Sequence, residues 1–237
     1  MTDDPSDRAA EEGLRFFGRA AAGLSHELRN VLATVQQAAG LLDDYAAIMA
    51  PGRSVDPERF QTVTARVGRN ADRGLGYIEL LNWLGHSLDG PSSSLELNEI
   101  ATRSVELARY RARQRRISLE LSPSDGDAVV IGKTFEWVML IHQCIESIVD
   151  RSEGAATLFI SIEETPRGVA MGFEIDAVYP VPGEAGRIRS RISALADTLG
   201  GRVVSSSDDA TDRLLTIQFT RPARNSGSDG PRVHHET

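Results

Sequence analysis

The chain has 237 residues, of which 41% are hydrophobic, so it is long enough for a helical hairpin and one α/β domain of ordinary size. Its 34 acidic against 26 basic residues give a formal net charge of −8, which argues against a nucleic-acid-binding surface and against attraction to an anionic membrane. No apolar run approaches the roughly 18 to 20 residues that span a bilayer, and the beginning MTDDPSDRAAEE is acidic, unlike a signal peptide. We therefore expect a cytoplasmic protein. Cys144 is the only cysteine, so no internal disulfide is expected.

Two long amphipathic helices are predicted first. One runs from about Pro5 to Ala50 without an internal proline, and the other from about Glu58 to Ser87. The connection at 51–57 contains two prolines and a glycine, which indicates a turn between antiparallel helices. Because one hairpin cannot enclose a core, we expect two copies to pair into a four-helix bundle, which makes the protein a homodimer.

A change in composition at LDGPSSS, residues 88–94, predicts a domain boundary. The helical domain is assigned to 1–90, and the separate groups of helices and short strands at 95–221 predict a two-layer α/β sandwich, so the chain is α+β overall. The helices are predicted at Leu97–Arg113, Thr134–Val149 and Gly183–Leu199, and the strands at Ile117–Leu121, Ala128–Ile131, Ala156–Glu163, Gly168–Ile175, Arg202–Ser206 and Arg213–Phe219. The polar stretch at 222–237 is predicted to be disordered.

The motif SHELRN on the first helix is a candidate reaction centre. Stepping about 100° per residue from Leu24 puts His26 at roughly 200° and Asn30 at roughly 240°, away from the apolar stripe. Since Glu27 is the immediate neighbour of His26, we expect a group arriving from solvent to meet an imidazole, a carboxylate and an amide together. A surface imidazole beside a carboxylate suits phosphoryl transfer. Periodicity alone is also compatible with a solvated histidine that has no function.

The segment AAGLSHELRNVLATVQQAAGLLDD resembles the H-box of sensor histidine kinases in residue types, apolar spacing and position on the first of two long helices. The resemblance covers residues 10–90 well and residues 95–220 in outline. It implies that His26 is the phosphoacceptor and Glu27 an acid/base or orienting residue. It also implies that Asn30 stands where the family places a residue needed to dephosphorylate the partner.

The second half of the chain is similar to the ATP-binding domain of these kinases in the order of its elements, but its nucleotide motifs depart from the family pattern. Ser147 stands where the resemblance implies an asparagine that helps to hold Mg²⁺. Asp176 matches the aspartate that receives the adenine amino group, but the following residues lack the family's glycines. Gly183 and Gly186 match the phosphate loop only weakly. We therefore expect no stably bound cofactor and no metal in this chain.

A phosphoacceptor histidine without an ATP site, and with no sensor domain expected ahead of it, resembles a dimeric histidine phosphotransferase. The resemblance implies a phosphorelay component that exchanges phosphoryl groups between His26 and receiver-domain aspartates of response regulators. The receiver domain would then supply the Mg²⁺. Apolar residues of the bundle that include Leu32 and Leu81 are candidates for the docking surface.

Three alternative functions remain open at this point. The first is a sensor histidine kinase whose ATP site has diverged. The second is a response-regulator phosphatase or pseudokinase that uses Glu27 and Asn30 and can dispense with His26. The third is a dimeric binding module that performs no chemistry.

Overall fold

The computed structural model describes residues 5–52, 54–176, 192–204 and 213–220, with side chains described from residue 10 onward and not at 213 and 214. The predicted tail at 222–237 and most of the predicted helix Gly183–Leu199, with Gly183 and Gly186, lie outside the described residues. Within the described residues, an N-terminal helical hairpin is followed by a mixed layer of helices and strands. The predicted α+β fold class is thereby confirmed.

The hairpin consists of α1, Pro5–Met49, and α2, Pro57–Ser87. Asp56 caps α2, because its Oδ1 accepts a hydrogen bond from the Glu58 N–H at 3.0 Å. The two helices approach closely where a Cβ added at Gly74 would lie 3.3 Å from Val31 Cγ1. This approach leaves no room for a larger side chain on α2 without a shift of Val31.

A stripe of buried residues at three-and-four spacing runs along α1. Its members include Phe16, Ala20, Leu24, Glu27, Val31 and Ala38. This is the spacing of one helix face, and it fixes which side of α1 lies against the rest of the protein.

None of the described helices is long and apolar enough to cross a membrane.

Strands and further helices follow the hairpin. They are β1 at Ser93–Glu96, α3 at Leu97–Gln114, β2 at Ile117–Ser122, β3 at Val129–Gly132, α4 at Thr134–Val149, β4 at Ala156–Thr165, β5 at Gly168–Ile175, α5 with described residues 192–198, β6 at Gly201–Val204 and β7 at Arg213–Thr220. Five strands form a sheet in the order β2-β4-β5-β7-β6, in which β2 and β4 are parallel and the other pairs antiparallel. β1 and β3 form a separate antiparallel pair.

The strand β1 is the element that the sequence prediction missed. Its first two residues, Ser93 and Ser94, belong to LDGPSSS, whose turn composition predicts a domain boundary. In the structure Ser94 pairs with Ile131 and Leu95 with Val130. Pairing partners this far apart in sequence override a weak local preference for a turn.

The hairpin and the α/β domain share one hydrophobic core. Leu80 and Leu84 of α2 belong to the same cluster of buried residues as Trp137 of α4 and Phe173 of β5. The Trp137 indole is 1% exposed, and its Nε1 donates a hydrogen bond to the Ile131 carbonyl, which ties α4 to β3. The continuous core therefore fixes the position of the α/β domain against the hairpin.

Candidate functional site

His26 lies on the exposed side of α1, and Asn30 lies one turn later on the same side. The Asn30 Nδ2 atom is 3.2 Å from His26 Nδ1. Residues four apart are neighbours on a helix surface, so the spacing of the motif is sufficient to bring the two side chains together. The imidazole and the amide therefore form one pair at the helix surface.

The Asn30 amide can form a hydrogen bond with Nδ1 of the imidazole in either of its two orientations. In the orientation of the structure, Asn30 Nδ2 donates to the Nδ1 lone pair, so a neutral ring carries its proton on Nε2. With the amide turned over, Oδ1 accepts a hydrogen bond from Nδ1–H and the lone pair lies on Nε2. The second arrangement is the one in which a neutral imidazole can attack through Nε2.

The imidazole also contacts an aromatic ring from the α/β domain. Tyr110 of α3 lies with its ring centroid 5.1 Å from the His26 centroid, and the two ring planes are inclined by 38°. The Tyr110 hydroxyl accepts a hydrogen bond from Gln114 Nε2. His26 remains exposed despite this contact, so Tyr110 covers part of the ring and leaves the remainder accessible.

Glu27 does not face solvent beside His26. Its side chain is buried, and its Oε2 accepts hydrogen bonds from Arg73 Nη2 and from the Tyr77 hydroxyl, both at 2.8 Å. Arg113 Nη2 of α3 lies 3.7 Å from the same oxygen. One carboxylate therefore joins α1, α2 and α3.

The prediction that a group arriving from solvent meets Glu27 together with His26 is wrong. Adjacent residues on a helix point about 100° apart, so the neighbour of an exposed histidine faces a different part of the protein. Here it faces α2, where Arg73 and Tyr77 compensate the burial of its charge. The role of Glu27 in this arrangement is to connect the helices around the histidine.

A signal for this placement was present in the sequence. Three steps of about 100° put Glu27 at about 300°, which is only about 60° from Leu24 and therefore on the apolar side of α1. Arg73 and Tyr77 are four residues apart and share a face of α2. The contributions of Tyr110 and Arg113 had no such signal, because they depend on how the second domain packs against the first.

The N-terminal half of α1 packs against α4 next to this site. The fully buried Phe16 ring lies 5.5 Å from Phe135 and 4.9 Å from His142, measured between ring centroids. Arg19 Nη2 lies 3.6 Å from Glu146 Oε2, which is itself 3.5 Å from His142 Nδ1. This Nδ1 is buried and has no hydrogen-bond partner among the described residues.

The charges around Glu146 change the pKa of its carboxyl group. Burial by itself would raise the pKa of this carboxyl group, but the adjacent His142 and the guanidinium groups of Arg19 and Arg111 favour its charged form. Together they hold the pKa of Glu146 below its ordinary value. Burial likewise raises the pKa of the Cys144 thiol far above its usual range.

The two residues that match nucleotide-binding positions are bonded to the backbone of the protein. The Ser147 hydroxyl donates to the Cys144 carbonyl at 2.8 Å. The Asp176 carboxylate accepts a hydrogen bond from the Thr157 N–H near the start of β4. These residues do not reproduce the asparagine and the Asp-x-Gly-x-Gly pattern of the kinase domains. Among the described residues, no group of three or more His, Cys, Asp or Glu side chains could hold a metal ion.

Several solved structures of histidine kinases share parts of this arrangement at low identity. Acinetobacter baumannii histidine kinase AdeS is 15% identical over 82% of this chain and 97% of its own, with a TM-score of 0.46. Histidine kinase ThkA in complex with response regulator protein TrrA is 14% identical over 91% of this chain and 65% of its own, with a TM-score of 0.47. At these values the solved structures say nothing about the activity of this chain.

The sequence comparison is more informative. No protein-family model matches the chain. The C4-dicarboxylate transport sensor protein DctB of Rhizobium meliloti (strain 1021) is 26% identical over 216 residues, which are 86% of this chain and 32% of that protein. The chain therefore spans about a third of the length of this curated relative. The likeness extends through both the hairpin and the α/β domain, so the chain is histidine-kinase-like over most of its length.

Proposed function

We propose that the chain is a cytoplasmic histidine phosphotransferase of a two-component phosphorelay, in which His26 exchanges a phosphoryl group with receiver-domain aspartates of response regulators. We also propose that this chain does not bind ATP. The observation that carries it is the exposed imidazole of His26, whose Nδ1 is engaged by Asn30 while no described residue bonds to Nε2.

The transfer step balances without a separate base. The Nε2 lone pair of the neutral imidazole forms the N–P bond as the P–O bond of the receiver's aspartyl phosphate breaks. The receiver's carboxylate leaves with the bonding electron pair. The proton stays on Nδ1, and with the Asn30 amide turned over its Oδ1 accepts the hydrogen bond from that N–H. Mg²⁺ bound by the receiver neutralises charge on the phosphoryl oxygens.

Glu27 fits this reaction as a structural residue. No proton has to be removed from the attacking nitrogen, so the reaction does not need an unpaired carboxylate beside the ring. The Glu27 carboxylate instead accepts hydrogen bonds from Arg73 and Tyr77. The paired carboxylate of Glu27 is compatible with transfer from an aspartyl phosphate, because that reaction needs no acid or base at this position.

The α/β domain supports a chain that does not use ATP. The hydroxyl of Ser147 is committed to a carbonyl of its own helix, and the carboxylate of Asp176 to the Thr157 N–H. Ser147 also stands in place of the longer asparagine of the kinase domains, and residues 177–180 supply no glycine for close approach of the backbone to a nucleotide.

Exposed apolar residues support a homodimer through the hairpin. Leu75 is 60% exposed and Ile78 is 45% exposed on neighbouring turns of α2. A second copy of the hairpin would bury both in a four-helix bundle. Leu32 is also 60% exposed and remains a candidate for receiver docking. Leu81, the other candidate, instead packs against the core.

The proposal is tested by mixing the purified protein with receiver domains that carry a radiolabelled aspartyl phosphate. We expect acid-labile, base-stable label to appear on the wild-type chain and to be absent from His26→Gln. The matched control is His86→Gln, which changes an exposed histidine near the end of α2 in the same way and should accept label like the wild type. Equal labelling of the two variants would reject His26 as the acceptor.

A phosphatase is a second candidate, which the contact between Asn30 and His26 supports. An exposed amide beside the docking site could orient water toward the aspartyl phosphate of the receiver. In that case Asn30→Ala would prolong the lifetime of the phosphorylated receiver, and His26→Gln would leave it short. A phosphotransferase shows the opposite dependence, because only the imidazole accepts the phosphoryl group.

A further inference from the structure

Tyr110 brings the α/β domain into direct contact with the candidate phosphoacceptor. Its ring centroid lies 5.1 Å from that of His26, although the two residues belong to different domains. We infer that Tyr110 is a positioning residue for the reaction of His26, so that the α/β domain contributes to phosphoryl transfer by orienting the imidazole. This inference rests on the proposed function and adds a residue and a role for the second domain.

Two contacts restrain the imidazole from different sides. The Asn30 amide engages the ring edge at Nδ1, and Tyr110 lies against the ring with an inclination of 38° between the planes. A histidine side chain on a helix surface has two rotatable bonds, so an unrestrained ring would sample several orientations. Holding the nucleophile in one orientation raises the fraction of encounters that react.

Tyr110 is itself restrained. Gln114 Nε2 donates a hydrogen bond to its hydroxyl from the next turn of α3. Its ring also lies against α1 at Gly23, where an added Cβ would be 3.5 Å from Tyr110 Cδ1. A single Cβ would be tolerated at that distance, whereas a longer side chain at residue 23 would occupy the space of the ring.

The contact between Tyr110 and His26 forms part of a continuous stripe between the domains. Along α1, the residues that lie against α3 or α4 include Phe16, Arg19, Gly23 and His26, at spacings of three and four. At one end of this stripe the fully buried Phe16 packs against the rings of α4. The stripe holds Tyr110 in place. If the whole α/β domain moved away from α1, the Tyr110 ring would leave His26, but Phe16 would become exposed to water.

The first test measures the contact without any reaction. Nuclear magnetic resonance of the full chain with labelled histidine reports the ring-current shift that Tyr110 imposes on the His26 ring protons. We expect Tyr110→Leu and Gly23→Leu to move these resonances and Tyr110→Phe to leave them nearly unchanged. Tyr45→Leu makes the same chemical change near the other end of α1 and serves as the control. Unchanged His26 resonances in Tyr110→Leu would overturn the inference.

The second test measures single-turnover transfer from a phosphorylated receiver domain. We expect Tyr110→Leu to lower the transfer rate by about tenfold, the size expected when a nucleophile loses its orientation, with the affinity for the receiver retained. Tyr110→Phe should restore the rate, because it restores the ring. A wild-type rate in Tyr110→Leu would overturn the inference. Absence of transfer to the wild-type chain would instead reject the proposed function, and the resonance measurement would still decide whether Tyr110 orients His26.

Discussion

The carboxylate of Glu27 accepts a hydrogen bond from the guanidinium of Arg73 at 2.8 Å, although the residue before Glu27 is the exposed His26. One step along the helix thus separates a surface imidazole from a buried ion pair. The ion pair joins α1 to α2 directly behind the histidine and is extended to α3 by Arg113. The backbone that carries His26 is therefore fixed by three helices.

Removing the guanidinium should destabilise the fold. Arg73→Met keeps much of the aliphatic side chain but leaves the buried Glu27 carboxylate with only the Tyr77 hydroxyl and the more distant Arg113. We expect the free energy of unfolding in urea to fall by about 1 to 3 kcal/mol. As a control, Glu11→Gln breaks the exposed pair with Arg15 and should cost less than about 0.5 kcal/mol. Equal effects of the two substitutions would contradict a buried, structural ion pair.

Stability should depend on pH through Glu146. Because the folded protein holds the pKa of Glu146 below its ordinary value, its stabilising contribution is complete above that ordinary value. The contribution is lost as the pH falls through the lowered pKa. We therefore expect the wild type to be more stable than Glu146→Gln near neutral pH and the two unfolding free energies to converge in acid. A gap that stays constant from neutral pH to pH 3 would contradict this assignment.

The hairpin should be the dimerisation surface. Light scattering should find a dimer at micromolar concentration, and Leu75→Lys should shift it toward monomer because a charge replaces an exposed apolar residue of α2. Ile131→Lys changes a side chain that is 50% exposed on β3 and should leave the dimer intact. A monomeric wild type would remove the four-helix bundle from the proposal.

Nucleotide should not stabilise the protein. A ligand that binds only the folded state raises the unfolding temperature, and at about 100 times its dissociation constant it adds about 2.7 kcal/mol of stability. Because Ser147 replaces the asparagine of the kinase domains and residues 177–180 contain no glycine, we expect millimolar Mg-ATP to leave the unfolding temperature unchanged. The same nucleotide added to an active sensor kinase provides the positive control. A clear rise for this chain would favour the divergent-kinase alternative.

Much of the fold could be predicted from local sequence patterns. The two prolines and the glycine of PGRSVDP separate α1 from α2, and Asp56 and Pro57 are typical residues for a helix start. The strand β4 follows from its alternation, in which Leu158 and Ile160 are buried and Phe159 is partly exposed. The last helix ends before a glycine pair, a typical stop signal, and Gly200 has a φ of +70° directly before β6.

The remaining features depend on contacts between residues distant in the sequence. β1 forms because β3 pairs with it, and its own residues favour a turn. Tyr110 contacts His26 where α1 packs against the second domain, as Phe16 does against α4. The local sequence around Tyr110 and His26 does not indicate this contact. The candidate site was therefore predicted as far as one helix determines it, and the contributions of α2 and α3 required the tertiary structure.

The central claim is that His26 takes its phosphoryl group from a receiver domain and not from ATP. The most direct measurement offers the protein these two radiolabelled donors in parallel, Mg-ATP alone and a phosphorylated receiver domain, and maps acid-labile label to His26 by peptide analysis. The account predicts label on His26 from the receiver and none from Mg-ATP. Label on His26 from Mg-ATP alone would contradict it and would make this chain a kinase.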